Sequence, residues 1–406
     1  MSTDVDVVVV GGGPAGLSAA MRLRERGVSR VVVVEREKVA GGVPRHCVHP
    51  GFGMRDLHRL LSGPHYAETM VRRALARGVS LLSATTVTSC DEGGVNVTSA
   101  RGTQRIDARA VILATGARER PRPARGVPGD RPAGVFTTGQ LQQWTYLEGL
   151  PVGARALVVG AEHVSFSAIL TLRHAGVATV ALVTEHQRHQ SVTGAGLVAR
   201  TWGHAPVHSF TRVVEIIGRR RVEKVVLENL MTGRVWSETV DTVVFSGDWI
   251  PDHELARRCG IVMDPGTLGP ASDALGRTSN ANIYAAGNLL HPVESADVVS
   301  LWARDVADTV AAELLHRAEG TRPWVTLGIE KPVSWVWPNR IIVGHAPTRL
   351  RLHTESFTSA RTLQLVSSGH VVAEQRLRRT TPNRSMNVAS SFVDALGEAS
   401  ATIRLR

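Results

Sequence analysis

The sequence predicts an α/β protein with two three-layer domains built on strand–turn–helix units, plus a smaller β-sandwich-like domain at its C-terminal end. Three observations carry this expectation. An apolar strand near the N-terminus runs into GGGPAG and then a helix. A second unit, ALVVGAEHVSFSAILTLRHAGV, starts at Ala156 with the same design. From about residue 323 the pattern changes to short alternating runs such as TLQLVSSG and ATIRLR, separated by turn residues.

The first unit has every part of a dinucleotide fingerprint. Asp4 to Val10 reads as a short buried strand, VDVVVV, whose valines suit a parallel strand covered on both faces. Gly11, Gly13 and Gly16 are the glycines of G-x-G-x-x-G, with Pro14 and Ala15 between them. Gly11 makes the tight turn, Gly13 lets backbone approach a pyrophosphate, and Gly16 allows close helix–strand packing. The helix from Leu17 to Arg26 offers N–H groups at its start. Val31 to Val34 is the next strand, and Glu35 at its end is placed to accept hydrogen bonds from a ribose. Strand, turn, helix and acid together make a Rossmann-like nucleotide site.

The remaining elements follow in order. Ala110 to Ala114 is a strand closed by Thr115 and Gly116, and the Pro- and Arg-rich stretch after it reads as a linker. The unit at Ala156 duplicates the first, with a turn at Gly160, a helix, Gly176 and a strand from Thr179 to Val183. Val240 to Pro251 is its closing strand. Asn282 to Asn288 is another strand, and a helix runs from about Ser295 to Ala318. The expected domains are 1–122 with 266–322, the inserted 123–265, and 323–406.

Composition narrows the function. The chain has 406 residues and no apolar run of 18, so several domains and no membrane span are expected. The first strand begins too near Met1 for a secretion signal, which points to the cytoplasm. Net charge is +11, but the excess is arginine interleaved with acids rather than blocked, so nucleic acid is not expected. A basic surface suits an acidic partner or an anionic substrate. Cys47, Cys90 and Cys259 form no C-x-x-C and are too few for an iron–sulfur cluster.

These pieces resemble the flavoproteins with two dinucleotide-binding domains, the group of thioredoxin and glutathione reductases. GGGPAG with Glu35, the Gly41–Gly42 pair, LATG at Leu113 to Gly116 and IYAAGN at Ile283 to Asn288 carry the resemblance. It implies a discontinuous FAD domain interrupted by an NAD(P)-type domain. Gly11, Gly13, Pro14, Ala15, Gly16, Glu35, Arg36 and Gly42 would hold FAD. Val87 would meet the adenine through its backbone, Thr115 and Gly116 would close over the cofactor, and Gly287 and Asn288 would lie at the ribityl and pyrophosphate. Three further segments, 41–66, 158–177 and 287–298, look like FAD subunits of bacterial amine dehydrogenases. That group includes opine oxidases, hydroxyproline and proline dehydrogenases and hydrogen cyanide synthase. The resemblance implies a small-molecule amine substrate. It also implies two partner subunits, a second flavoprotein and a small iron–sulfur protein that holds any cluster.

The chain departs from the reductases at two places. Only Cys47 follows Gly41–Gly42, and the second domain is expected to hold Cys259 alone, so a dithiol relay is not expected. In the second fingerprint Glu162 replaces the second glycine and Ser165 the third. A carboxylate there repels a pyrophosphate, which makes NAD(P) binding doubtful; the alternative is that Glu162 turns outward. Candidate catalytic groups are Arg45, His46, Cys47 and His49 in a Pro-bounded loop. They could act as a cation beside the flavin or a base for an amine proton, or simply shape the loop. A metal there would have only three ligands, and none is expected. His291, just after Asn288, is a further catalytic candidate beside a helix start, with packing as its alternative role.

Overall fold

The computed structural model describes residues 4–191, 205–316, 323–344, 347, 349–382 and 384–406. Contacts divide the chain into two units. The first comprises Met1–Arg45, Pro50–Ala117 and Ile250–Arg406, and the second His46–His49 and Arg118–Trp249. The chain leaves and re-enters the first unit earlier than the expected 122/123 and 265/266 boundaries. Residues 323–406 cluster with the first unit rather than apart from it.

In the first unit seven strands form one sheet. Ser80–Leu82, Val31–Val34, Val5–Val10, Gly102–Leu113, Gly94–Ser99 and Thr85–Asp91 lie in that order, and Ile283–Ala285 also pairs with Gly102–Leu113. The Gly102–Leu113 strand serves two sets of neighbours. Its C-terminal half runs parallel to the first strand, with Val10 opposite Leu113. Its N-terminal half is antiparallel to Gly94–Ser99. The valine run of the first strand is buried on both faces. Val7 and Val9 pack into an apolar cluster with the helices Pro14–Glu25, Gly63–Ala76 and Ala296–His316. Val5, Val8 and Val10 pack into a second cluster on the other face. Asp308 accepts from Arg22 Nε and Arg26 Nε, each at 2.7 Å, which joins the first helix to the long late one.

The second unit holds a five-stranded parallel sheet, ordered Val135–Thr137, Thr242–Phe245, Arg155–Val159, Ala178–Val183 and Val207–His208. The expected strand 240–251 is two strands, Thr242–Phe245 and Trp249–Pro251. Gly247 and Asp248 break it, both with positive φ. A three-stranded antiparallel sheet, Thr211–Ile217, Lys224–Asn229 and Val235–Glu238, completes the unit. Arg219 to Arg221 lie at the turn between its first two strands. His186 and His189 are half-buried rather than fully solvated, and His189 packs edge-on against Phe166.

Residues 323–406 form two sheets, one of five strands and one of three. Leu327, Leu363 and Ile403 of the larger sheet share one apolar core with Val336, Leu350 and Leu352 of the smaller. Trp335 and Trp337 turn the other way, into the cluster that holds Val5 and Val8. Trp337 Nε1 donates to Ser272 Oγ at 3.1 Å. Trp324 stays half-exposed with the Arg340 guanidinium over its ring. Among the described residues no helix is long and apolar enough to cross a membrane.

Cys259 corrects the sequence reading. It lies in the first unit and forms a disulfide with Cys90, their Cα atoms 5.2 Å apart. The 169-residue separation hid this proximity, because the discontinuous unit is rebuilt only after the insert.

A partly buried ion pair fastens the C-terminal segment. Arg351 Nε and Nη2 both donate to Glu294 Oε1, and Ser385 Oγ donates to the same atom. Removing Glu294 takes the charged acceptor from Arg351 and Ser385 together, and a hydrogen bond to a charged group is worth about 1.5–3 kcal/mol. Glu294→Ala is therefore expected to lower the thermal midpoint by calorimetry and to open residues 323–406 to limited proteolysis. An unchanged midpoint would take the pair out of this account.

Candidate functional site

The first fingerprint is built by close approaches at two glycines and free space at the third. Gly11 has φ +108°, and an added Cβ would lie 2.4 Å from the Ala114 carbonyl oxygen. At Gly16 a Cβ would lie 1.9 Å from the Gly11 carbonyl oxygen, so the helix packs against the turn without room for a side chain. Gly13 differs: a Cβ there would meet only Gly42 Cα, at 3.8 Å. Gly42 in turn has φ +64° and brings its own backbone against Gly13. The helix Pro14–Glu25 begins at Gly13 with no side-chain cap. Pro14 has no N–H to satisfy, and the next N–H groups need an acceptor. An uncapped helix start with open space before it is a cradle for an anionic phosphate. Ala15 is buried, and a Cβ on Gly287 would lie 2.7 Å from its methyl group, so these two small residues let the segments meet.

Glu35 supplies the acid. It is 7% exposed, and its Oε2 accepts from Gly12 N–H at 2.7 Å while Oε1 accepts from Glu37 N–H at 2.8 Å. A carboxylate has about four lone-pair sites, so acceptor capacity remains for hydroxyl groups. Thr85 N donates to the Glu35 carbonyl at 2.9 Å, which brings the strand carrying Val87 alongside. The Val87 side chain packs on the apolar core. Thr115 Oγ1 donates to the Asp252 carbonyl at 2.7 Å, and Asp252 N donates back to the Gly116 carbonyl at 2.9 Å. Arg36 pairs with the Asp252 carboxylate at 3.2 Å. These residues fit the adenosine diphosphate half of FAD.

The surroundings of two candidate residues near 288 are plain in the structure. The Asn288 side chain is turned to the backbone of Glu294, accepting from its N–H at 2.8 Å and donating to its carbonyl at 3.1 Å. It ties off the loop rather than standing open. His291 lies in the core, 1% exposed, with ring centroids 4.8, 5.1 and 5.7 Å from Trp335, Trp337 and Trp302. Burial pushes its pKa down to about 3, with Arg351 and His353 adding to the effect. A neutral, enclosed imidazole cannot exchange protons with a substrate, so the packing role holds.

The residues from Arg45 to His49 are divided between the two units. Arg45 belongs to the first unit, where it donates to the Val39 carbonyl and lies 4.0 Å from Glu37. It closes its own loop and is not a free cation. His46 is buried and His49 half-buried, and both cluster with the second unit. Cys47 is 8% exposed, and its thiol donates to Gln142 Oε1 at 3.4 Å. Gln142 Nε2 donates onward to Ser167 Oγ at 2.7 Å. Burial, and then the nearby Glu119 carboxylate, push the Cys47 thiol up to about 12. Glu119 is a site group that the sequence reading missed. Its carboxylate accepts from Thr138 N–H at 3.2 Å and Gly139 N–H at 2.8 Å. Burial pushes it up to about 7 against those bonds, with Glu162 adding to the rise.

In the second fingerprint Glu162 does not turn outward. It is 6% exposed at the N-cap of the helix His163–His174, in a capping box with Ser165. Ser165 Oγ donates to its Oε2 at 2.7 Å, and Ser246 Oγ donates to its Oε1. Among the described residues no three His, Cys, Asp or Glu side chains are gathered as a metal set.

Two outcomes follow from this geometry. Gly13→Val fills the open cradle and should yield folded, colourless protein. Glu35→Ala removes charge-assisted hydrogen bonds, each worth about 1.5–3 kcal/mol, and should weaken FAD retention. Flavin absorbance per chain measures both, and a yellow Gly13→Val protein contradicts the cradle. For Cys47, a thiol held near 12 is almost wholly protonated at pH 8, and the thiolate is the reacting species. Iodoacetamide at pH 8 should leave Cys47 unmodified until the protein is unfolded, as read by mass spectrometry. Rapid native alkylation would show a reactive thiol instead.

Comparison with known proteins agrees with this geometry. Residues 5–308 match the family described as pyridine nucleotide-disulphide oxidoreductase. An opine oxidase subunit of Agrobacterium tumefaciens (strain Ach5) is 26% identical over 343 residues, covering 77% of this chain and 65% of that protein. Thioredoxin reductase of Treponema pallidum (strain Nichols) is 29% identical over 304 residues, covering 71% of this chain and 90% of that one. The chain spans less than two thirds of the length of the opine oxidase subunits it matches. The crystal structure of thioredoxin reductase from T. acidophilum shares the fold. Its TM-score is 0.63 at 20% identity, over 77% of this chain and 99% of that one. The chain thus belongs to the pyridine nucleotide-disulphide oxidoreductase family.

Proposed function

We propose that this chain is the FAD-holding subunit of a complex that dehydrogenates an amine or amino acid and passes the electrons to a redox centre on a partner. The observation that carries this reading is the state of its three cysteines. Cys90 and Cys259 are joined, and Cys47 is a lone, buried, protonated thiol. A disulfide reductase needs two exchanging thiols, and a cluster needs more ligands than remain. The similarity to proteins named as opine oxidase subunits supports an assembly.

The chemistry balances simply. The carbon next to the substrate nitrogen gives up a hydride and the nitrogen a proton, leaving an imine. FAD supplies the two-electron acceptor when bound. Gly13 and the uncapped helix start position its phosphates, and Glu35 its ribose. On this reading the electrons then pass to the partner set, a second flavoprotein and a small iron–sulfur protein. The arginine-rich surface offers such partners a complementary charge.

A second reading, an NAD(P)H-dependent flavin reductase, is favoured by the similarity to thioredoxin reductase. A third assigns substrate oxidation to the partner, with this chain as an FAD-holding scaffold. Dye reduction separates them. The isolated chain is expected to reduce dye weakly with amines and strongly once its native complex is reconstituted, with high salt weakening assembly. Full amine turnover by this chain alone with oxygen would contradict the subunit reading. Rapid anaerobic bleaching of the flavin by NADH or NADPH would put the reductase first. A reconstituted complex that stays active when this chain cannot bind FAD would favour the scaffold.

A further inference from the structure

The two fingerprints are one backbone design with different side chains at the same place. Gly11 and Gly160 both take positive φ, +108° and +135°. Gly13 and Glu162 both stand at the N-cap, with φ/ψ of −83°/−174° and −97°/−175°. Val10 lies opposite Leu113 in one sheet, as Val159 lies opposite Phe245 in the other. Ala114 N donates to the Val10 carbonyl at 2.8 Å, and Ser246 N to the Val159 carbonyl at 2.8 Å. Ser246 is therefore the counterpart of Ala114.

The contents of the two turns are opposite. In front of Gly13 the space is open and the helix start is uncapped. At the second turn the Glu162 carboxylate takes the Ser165 N–H, the Ser165 hydroxyl and the Ser246 hydroxyl. It also lies against the turn that follows the closing strand, since a Cβ on Gly247 would come 2.9–3.1 Å from its carboxylate atoms. Arg125 donates to the carbonyls of Ser246 at 3.1 Å and Gly247 at 2.7 Å, which sets its guanidinium within electrostatic reach of Glu162.

We infer that Glu162 is a built-in anion that closes the second dinucleotide site, capping the helix start where a nucleotide pyrophosphate would otherwise be received. Three physical effects act together. The helix start is already capped by the chain's own side chains. The carboxylate repels phosphate oxygens. Being tethered, it competes as an intramolecular group against a nucleotide that must bind from solution. NAD(P), which family membership implies, does not fit this turn as it stands. The inference concerns this site alone and does not depend on which substrate reduces the flavin.

The test restores the glycine of the first fingerprint. Glycine is accepted at N-caps, so the helix should survive Glu162→Gly. The FAD-loaded full chain and its E162G, E162A and E162Q variants are titrated with NADH and NADPH by calorimetry, with circular dichroism and flavin content as controls. The wild type should show no saturable binding. E162G should bind at least about tenfold more tightly than the wild type, a 1.4 kcal/mol gain. E162Q removes the charge but keeps the bulk, so it should bind more tightly than the wild type and less tightly than E162G, and E162A serves in place of E162G if that variant fails to fold. Micromolar binding by the wild type would overturn the inference. So would a folded E162G or E162A that binds no better than the wild type, or a folded E162Q indistinguishable from the wild type.

Discussion

A helix start leaves its first N–H groups without partners inside the helix, and something must accept from them. This chain meets that demand in two ways on two copies of one motif. At Pro14–Glu25 no side chain caps the start, and the glycine before it leaves room for an anion. At His163–His174 the chain provides its own carboxylate, with Ser165 and Ser246 completing its shell. The first arrangement makes a cofactor site and the second makes a sealed turn. The difference centres on Gly13 against Glu162, with Ser165 in place of Gly16 and Ser246 in place of Ala114 supplying the carboxylate's partners.

The cofactor site also depends on pieces far apart in the chain. Gly11 meets Ala114, Gly287 meets Ala15, and Asp252 joins Thr115, Gly116 and Arg36. Such contacts exist only if the late segments return to the first sheet. Asp308 between Arg22 and Arg26 holds that return, as does Ile283–Ala285 beside Gly102–Leu113. Trp335 and Trp337 from the C-terminal sheets fill the opposite face and enclose His291. The added β domain is thus part of the packing that supports the site.

What could be read in advance follows from how local the physics is. The first strand, the glycine turn, the helix and Glu35 are set by neighbours within 35 residues, and all were legible. The identity of Glu162 at a glycine position was legible too. Its partners were not, because Ser246 and Arg125 arrive from remote elements. The burial of His291 was not legible for the same reason, since tryptophans more than forty residues later pack on its ring. The Cys90–Cys259 link and the separation of Arg45 from His46 likewise depend on tertiary contacts that no local pattern records.

The central claim is that this chain carries one open nucleotide site and one closed by its own side chain. Native mass spectrometry of the intact protein, saturated with FAD and with NADPH in excess, tests it most directly. The account requires the mass of one FAD per chain and nothing more. A chain that carries both FAD and NADPH, or one that holds no flavin, would contradict it.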